Sequence, residues 1–262
     1  MPFFDVFTKK TQSRPALTTW KFSVILCLTV KSSPYYHIFR FTGIAILMNF
    51  SEIVVKPVLS APFQEIGYVV HKKNEPDCFV IDPGLEPENF LELFENKGLN
   101  LVAFLITHGH GDHIGGIPAI RAKWAAAKIY IGEHEYDKLT DPEKNLSAVF
   151  GISLTTPPAD VLLRDGETLE LAGITLEVRH VPGHSKGHVV YWLPAEPKSM
   201  VFVGDVIFQE GIGRNDFPDG EPAVQIPMIR QKIMTLPDDT IIYPGHGNST
   251  TVGAERKFNP YV

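Results

Sequence analysis

Residues 107–116 read THGHGDHIGG. His108, His110, Asp112 and His113 fall within six positions, directly after the apolar run LVAFLI. Four donors this close together have no packing role, and imidazoles protonated side by side would repel one another. Metal coordination is the chemistry that gathers such residues. His108 and His110 stand two apart on chain that is leaving a strand, so both rings can turn to one side and reach a common ion. Asp112 and His113, one turn on and entering a helix, reach a second ion beside it more readily than the same one. Nitrogen and oxygen donors without sulfur suit zinc first, and also iron or manganese.

Two ions need more ligands, and the chain supplies them at comparable positions. His184 lies in VPGHSKGH after the strand-like ITLEVRHV, Asp205 ends MVFVGD, and His246 lies in TIIYPGHG. Each follows or closes an apolar run. A histidine at a strand end is by itself commonly a solvated loop residue; the cluster at 108–113 gives these three their weight. A carboxylate at Asp205 could bridge two cations. His37, His71, His134, His180 and His188 have no such companions and read as surface or core residues. Asp82, in IDPG, either supports the site from a neighbouring strand end or simply forms the turn before Pro83.

The elements that must position these residues are short. IVVKPVL, IGYVVH and CFVID read as consecutive strands of one sheet. PENFLELFENKG carries Phe90, Leu91, Leu93 and Phe94 at helical spacing and stops at Gly98. LVAFLIT is a buried strand, HIGGIPAIRAKWAAA is helical, KIYIG is a strand, and EHEYDKLTD is helical. A polar, Pro-containing connection covers roughly 141–160. VLLRDGETLELAGITLEVRHVPG alternates around the turns RDGE and LAGI, which predicts antiparallel sheet. HVVYWL and MVFVGD continue it, a helix fits PAVQIPMIRQKIMTL, TIIYPGHG is the final buried strand, and GAERKFN is a short helical tail. Two such halves, each a small sheet with helices outside, pack sheet to sheet and leave a cleft where strand ends meet.

Composition bounds the partners. The 262 residues are 44% hydrophobic and 21% charged, ordinary for a globular chain able to bury a core without staples. Cys27 and Cys78 are too far apart in pattern for a disulfide framework or a cysteine-based zinc site, and a reducing, cytoplasmic setting is the default expectation. Residues 1–50 hold six Lys or Arg against one Asp, a charge of +5; the rest must then carry −11 to reach the total of −6. So acidic a body argues against nucleic acid as its partner. The apolar run FSVILCLTV in the basic leader falls far short of the roughly 20 residues a membrane-spanning helix needs. Residues 1–47 read either as a targeting segment or as an over-long start before Met48, with the domain proper at 48–262. Oligomeric state is not legible.

THGHGDHIGG, VPGHSKGH, FVGDVIF and YPGHG together resemble the successive metal-binding motifs of the metallo-β-lactamase superfamily of hydrolases. The resemblance covers the chain from about residue 53 to its end. It implies an α+β fold, a four-layer αββα sandwich with the site at the edge between its two sheets. It assigns His108, His110 and His184 to a first divalent metal and Asp112, His113 and His246 to a second, with Asp205 bridging and Asp112 also placed for proton transfer. Within the superfamily, GIGRNDFPDG and YPGHGNSTTVGAERKFNP resemble the glyoxalase II branch, the hydroxyacylglutathione hydrolases, in their short form without the C-terminal helical domain. Position 215 departs from that branch, being Asn where Thr or Ser is more usual.

The implied reaction is hydrolysis of a small-molecule thioester such as S-lactoylglutathione. Two divalent ions about 3.5–4 Å apart lower the pKa of a shared water to about 7, so no Ser or Cys nucleophile is required. Arg214, in the loop after Asp205, is a candidate for an anionic group on the substrate because its fork binds carboxylates at two points. Lys186, near His184, offers the same attraction as a point charge. The competing reading is a persulfide dioxygenase of the same fold, which would use one iron on His108, His184 and Asp205; the further donor in YPGHG argues for two metals.

Overall fold

The computed structural model describes residues 48–49 and 52–262. The segment 1–47, with both readings given to it, lies outside the described residues. A two-residue strand β1 (Met48–Asn49) pairs with β11 (Ala195–Glu196). The first large sheet runs β2 (Ile53–Ser60), β3 (Glu65–Lys72), β4 (Asp77–Ile81), β5 (Asn100–Ile106), β6 (Lys128–Gly132) and β7 (Val161–Leu163), side by side in sequence order. Its first three strands are antiparallel, as short turns dictate; from β4 onward the strands are parallel. Parallel pairing needs crossovers, and helix α1 (Pro87–Lys97) supplies the first. Pro87 opens that helix, Glu88 and Lys97 sit at the ends that suit their charges, and Gly98 closes it at φ +63°.

The second sheet contains β8 (Thr168–Leu171), β9 (Ile174–His180), β10 (Val189–Leu193), β12 (Met200–Gly204), β15 (Ile241–Pro244) and β16 (Thr250–Thr251), in the order β16-β15-β12-β10-β9-β8. A small hairpin, β13 (Ile207–Phe208) with β14 (Gly211–Ile212), stands apart from both sheets. Three apolar layers follow from the alternation of the strands. Tyr68, Phe79, Ile81 and Leu105 of the first sheet meet Leu176, Val178, Tyr191 and Phe202 of the second between the sheets. The other face of the first sheet packs Val80, Phe104 and Ile106 on Phe90 and Phe94 of α1 and on Ile117 and Ile120 of α3 (Ile117–Lys123). The outer face of the second packs Val190, Val201 and Val203 on Ile229 and Ile233, at and just beyond the end of α4 (Pro222–Lys232). The architecture is therefore the four-layer αββα sandwich, closed by α5 (Val252–Phe258) at the end of the chain.

Three local expectations are corrected. The stretch HIGGIPAIRAKWAAA is not one helix but α2 (Gly111–Ile114) and α3, broken at Gly115–Gly116, where the Gly116 amide donates to Pro83 O, and it ends at Trp124. EHEYDKLTD holds only a 3₁₀ turn over Tyr136–Leu139, because Glu135 turns its carboxylate inward to other loops. RDGE is not a hairpin turn: β7 pairs in parallel with β6 in the first sheet, so Asp165 and Gly166 carry the chain across to the second. Alternation reports that a strand has one buried face and does not say which sheet it joins.

Strands β5, β12 and β15 all end at one edge, and that edge is sewn together. Val189 N donates to Thr107 O at 2.9 Å and Ile66 N to Gly245 O at 2.7 Å, each joining one sheet to the other. A register shift between Phe202 and Gly204 bends β12 as it delivers Asp205.

Candidate metal centre

The structure brings His108, His110 and His184 together at that edge. His108 Nε2, His110 Nδ1 and His184 Nε2 lie 3.0, 3.0 and 3.2 Å from one another. Lone pairs of three imidazoles meeting at such a point cannot satisfy each other by hydrogen bonding. Zn–N bonds of 2.0–2.1 Å in tetrahedral geometry would place nitrogens about 3.3 Å apart, close to the observed triangle. Burial pushes the pKa of His108, His110 and His184 below the ordinary imidazole value, and neighbouring histidines add to this for His108 and His110. The trio is thereby held neutral, the state in which imidazole binds metal.

Beside it, Asp112, His113 and His246 form a second group with ligand atoms within 4.8 Å of one another. His246 Nε2 stands 3.5 Å from Asp112 Oδ2, and His113 Nε2 stands 3.9 Å from the same oxygen. Asp205 lies between the groups. Its Oδ2 is 3.8 Å from His184 Nε2 and 3.5 Å from His246 Nε2, and its Oδ1 is 3.4 Å from His113 Nε2. Asp205 Oδ1 and His113 Nε2 are buried and make no hydrogen bond, an arrangement a cation would satisfy. Burial pushes Asp205 up, but His113, His184 and His246 outweigh it and hold the carboxyl far below its usual range. His113 is also pulled down by burial, and the facing Asp205 and Asp112 raise it well above the ordinary value. Both shifts describe charges seeking partners of opposite sign. The donor set fits two divalent cations.

The backs of three of the rings, His108, His113 and His184, are tied as metal-binding histidines usually are, whereas His110 Nε2 is buried without a partner. Thr107 Oγ1 donates to Asp82 Oδ2 at 2.6 Å, leaving its lone pair to accept from His108 Nδ1 at 3.1 Å. Asp82 also accepts from Thr107 N at 2.8 Å and from His113 Nδ1 at 3.1 Å. His184 Nδ1 donates to Arg214 O at 2.7 Å. Each bond fixes the tautomer that presents the other nitrogen to the centre. Asp82 performs this from a left-handed conformation, φ +47°, just past β4. Of the two roles open to it in the sequence, support of the site is the one it holds. Asp82, His108 and His113 also lie close enough to form a third donor group, but Asp82's oxygens are already committed to these bonds.

Three buried residues were not foreseen. Glu135 accepts from Gly109 N at 2.8 Å, Gly187 N at 2.8 Å and Ser185 Oγ at 2.9 Å, so one carboxylate clamps the loops of His108–His110 and His184 together. Lys138 Nζ lies 2.9 Å from the same carboxylate and 2.5 Å from Asp219. His188, expected to lack partners, stacks on His108 with centroids 4.7 Å apart and planes at 19°, and its Nε2 accepts from Asp205 N at 3.3 Å. Its position four residues after His184 was the available signal.

A cavity of about 580 Å³ opens over the centre, with His110, Asp112, His184, Asp205 and His246 on its floor. Arg214 reaches its rim, but Nε and Nη2 already bind both oxygens of Asp216, at 2.7 and 2.9 Å, and the guanidinium lies over Phe217. Lys186 is exposed and does not line the cavity. Asn215, the departure noted at that position, donates to Gln225 Oε1 at 2.6 Å, and Gln225 in turn donates to Gly213 O at 2.9 Å, which pins this loop.

A β-sandwich of this order with five histidines and two aspartates converging at its edge defines a metal-dependent hydrolase fold, and the chain belongs to the metallo-beta-lactamase superfamily, whose domain pattern matches residues 65–246. Among its relatives, hydroxyacylglutathione hydrolase GloC of Haemophilus influenzae is 39% identical over 196 residues, 72% of this chain and 89% of that protein. The crystal structure of BLEG-1 B3 metallo-beta-lactamase superposes with a TM-score of 0.75 at 35% identity, covering 79% of this chain and 99% of that one. TTHA1623 in a di-iron-bound form gives a TM-score of 0.68 at 34% identity, covering 79% and 100%.

Proposed function

We propose that the chain is a two-metal hydrolase of thioesters, for which S-lactoylglutathione is the reference substrate. In this reading His108, His110 and His184 hold one ion, Asp112, His113 and His246 hold the other, and Asp205 serves both; zinc suits the set, with iron or manganese also accommodated. The observation that carries it is Asp205, whose carboxylate reaches toward both groups of donors at 3.4–3.8 Å.

Bound divalent ions at such a site supply Lewis acidity and bring a water's pKa down to about 7. The chain's own residues do the rest. Asp112, 21% exposed and on the cavity floor, is placed to take a proton from water and pass it on. Phe217 packs edge-on against His110 and His184, at 4.9 and 5.5 Å, and keeps bulk water from that side. Cys78 is no rival nucleophile: it is buried in the helix–sheet layer, which pushes its thiol up to about 12. The relative named as a hydroxyacylglutathione hydrolase supports the thioester class.

The test is elemental analysis of the purified chain with two assays on the same sample. Two metals per chain, hydrolysis of S-lactoylglutathione and no oxygen uptake with glutathione persulfide are expected. One tightly held iron with persulfide-dependent oxygen uptake would overturn the reading.

A further inference from the structure

Beyond the metal ligands, the cavity is lined largely by apolar side chains. Leu146, Val149, Phe150, Ile152 and Leu154 face it from the irregular 141–160 connection, and Phe63 meets Phe150 edge-on at 5.0 Å across the mouth. Val149 and Phe150 are 73% and 61% exposed, an arrangement that favours contact with an apolar group. The segment is nonetheless fixed. Asn145 Nδ2 donates to Lys138 O and Leu154 O, both at 3.0 Å, its Oδ1 accepts from Ser147 N at 3.0 Å, and Asn145 O accepts from Gly111 N at 2.8 Å. The wall is therefore anchored directly to the loop that carries His110 and Asp112.

Charge points the same way. Of the described residues lining the cavity, Arg214 alone carries a permanent positive charge, and Asp216 already pairs with it at two points. Biological thiol carriers are polar amides bearing charge, so the carrier is the wrong half of a thioester to bury here. The acyl half is the one that can be apolar. A lactoyl group, three carbons with a hydroxyl, would leave most of a 580 Å³ cavity unfilled.

Resting on the hydrolase reading above, we propose that the preferred substrates are thioesters of medium-length, apolar, uncharged acyl groups. The acyl chain lies against Leu146, Val149, Phe150 and Leu154, and the thiol half stays at the mouth. Water's oxygen forms the new bond to the carbonyl carbon, the carbon–sulfur bond breaks, sulfur leaves with the bonding pair and takes up a proton, and the products are a carboxylic acid and a thiol.

The experiment compares kcat/KM for acetyl, butanoyl, hexanoyl and octanoyl thioesters of N-acetylcysteamine with S-lactoylglutathione, using the metal-loaded full chain. Calorimetry of octanamide binding to the same protein accompanies it. Specificity should rise about fourfold per methylene, and octanamide should bind with a negative heat-capacity change. Replacing the exposed pair together, Val149→Asp with Phe150→Asp, should flatten the chain-length profile and abolish octanamide binding. A flat profile in the unaltered chain, a preference for lactoyl or acetyl, or no octanamide binding would overturn the inference while leaving the hydrolase reading intact. Absence of hydrolysis across the whole series would overturn the hydrolase reading and this inference with it.

Discussion

Glu135 and Gly109 are joined by a 2.8 Å hydrogen bond from the glycine amide to the carboxylate, across 26 residues of sequence. The same carboxylate holds Gly187 and Ser185, so both loops that carry the histidine trio hang on one side chain that touches none of the trio. Glu135→Ala would leave two buried amides and the Ser185 hydroxyl without their acceptor, and the Lys138 ammonium with Asp219 alone. Loss of about 10–100-fold in affinity for the first metal is expected, with a stability cost of about 3 kcal/mol or more from the unpaired donors. Chelator competition and denaturant unfolding measure the two effects separately. Unchanged metal affinity would show that the loops hold their geometry without the clamp.

His246 tests the division of donors into two groups. Its ring is 26% exposed and, among the acidic groups of the described residues, pairs with Asp112 and Asp205, so its removal creates little void. His246→Ala should reduce metal content from two ions to one and leave the fold's circular dichroism and unfolding midpoint of the one-metal form near those of the parent. His108→Ala should instead impair the first metal and the stacked His188 with it. Equal loss of both ions in both variants would show a single cooperative site.

Much of this centre was legible because its donors are close in sequence or close strands. His108, His110, Asp112 and His113 advertise themselves by crowding, and His184, Asp205 and His246 by standing at the ends of apolar runs that the fold brings to one edge. Glu135 was not legible, because two of its partners are backbone amides, which carry no side-chain signature, its Lys138 partner reads as an ordinary i, i+3 surface pair, and EHEYDK has the look of an exposed helix. His188 was hidden for the opposite reason: it faces the backbone of Asp205, a contact made once β10 lies beside β12, and the ring of His108, a contact made once the two sheets meet. The placement of β7 in the first sheet depended on pairing partners far away in sequence, while the break in the helix after His113 was visible in Gly115–Gly116 and was outweighed by the apolar spacing around it.

The metal-stripped protein should lose stability as pH falls from about 7 to 5. His108, His110 and His188 have folded-state pKa values well below ordinary, with burial the largest cause. A depressed group contributes stability above its unfolded pKa, about 6.5 for His, and loses it as pH falls toward the folded value, because only the unfolded chain takes up the proton. His113 and His246 are shifted upward, so their contribution grows only until the unfolded chain's histidines are protonated, a little below 6.5, and offsets part of the loss at the top of this range alone. Urea midpoints of the stripped protein across this range measure it; a flat or rising profile toward pH 5 would contradict the neutral state of these buried histidines. Metal-loaded protein should hold its stability further into acid, since bound ions compete with protons for the same nitrogens.

Gly245, between β15 and His246, marks how little room the shared carboxylate has. A Cβ there would stand 2.5 Å from Asp205 Oδ1 and 2.6 Å from His113 Cε1, too close for either to remain where it is. Its amide also donates to Gly204 O at 2.9 Å, which prevents the backbone from simply backing away. Gly245→Ala should therefore displace Asp205 and His113 together, at a cost of about 1–3 kcal/mol in stability. The effect on metal should exceed that of His246→Ala, because Asp205 faces both groups of donors: both ions should weaken, the second more. Elemental analysis after dialysis against a graded chelator series separates the outcomes. Retention of both ions at parental affinity would mean that Asp205 can serve the centre from a displaced position.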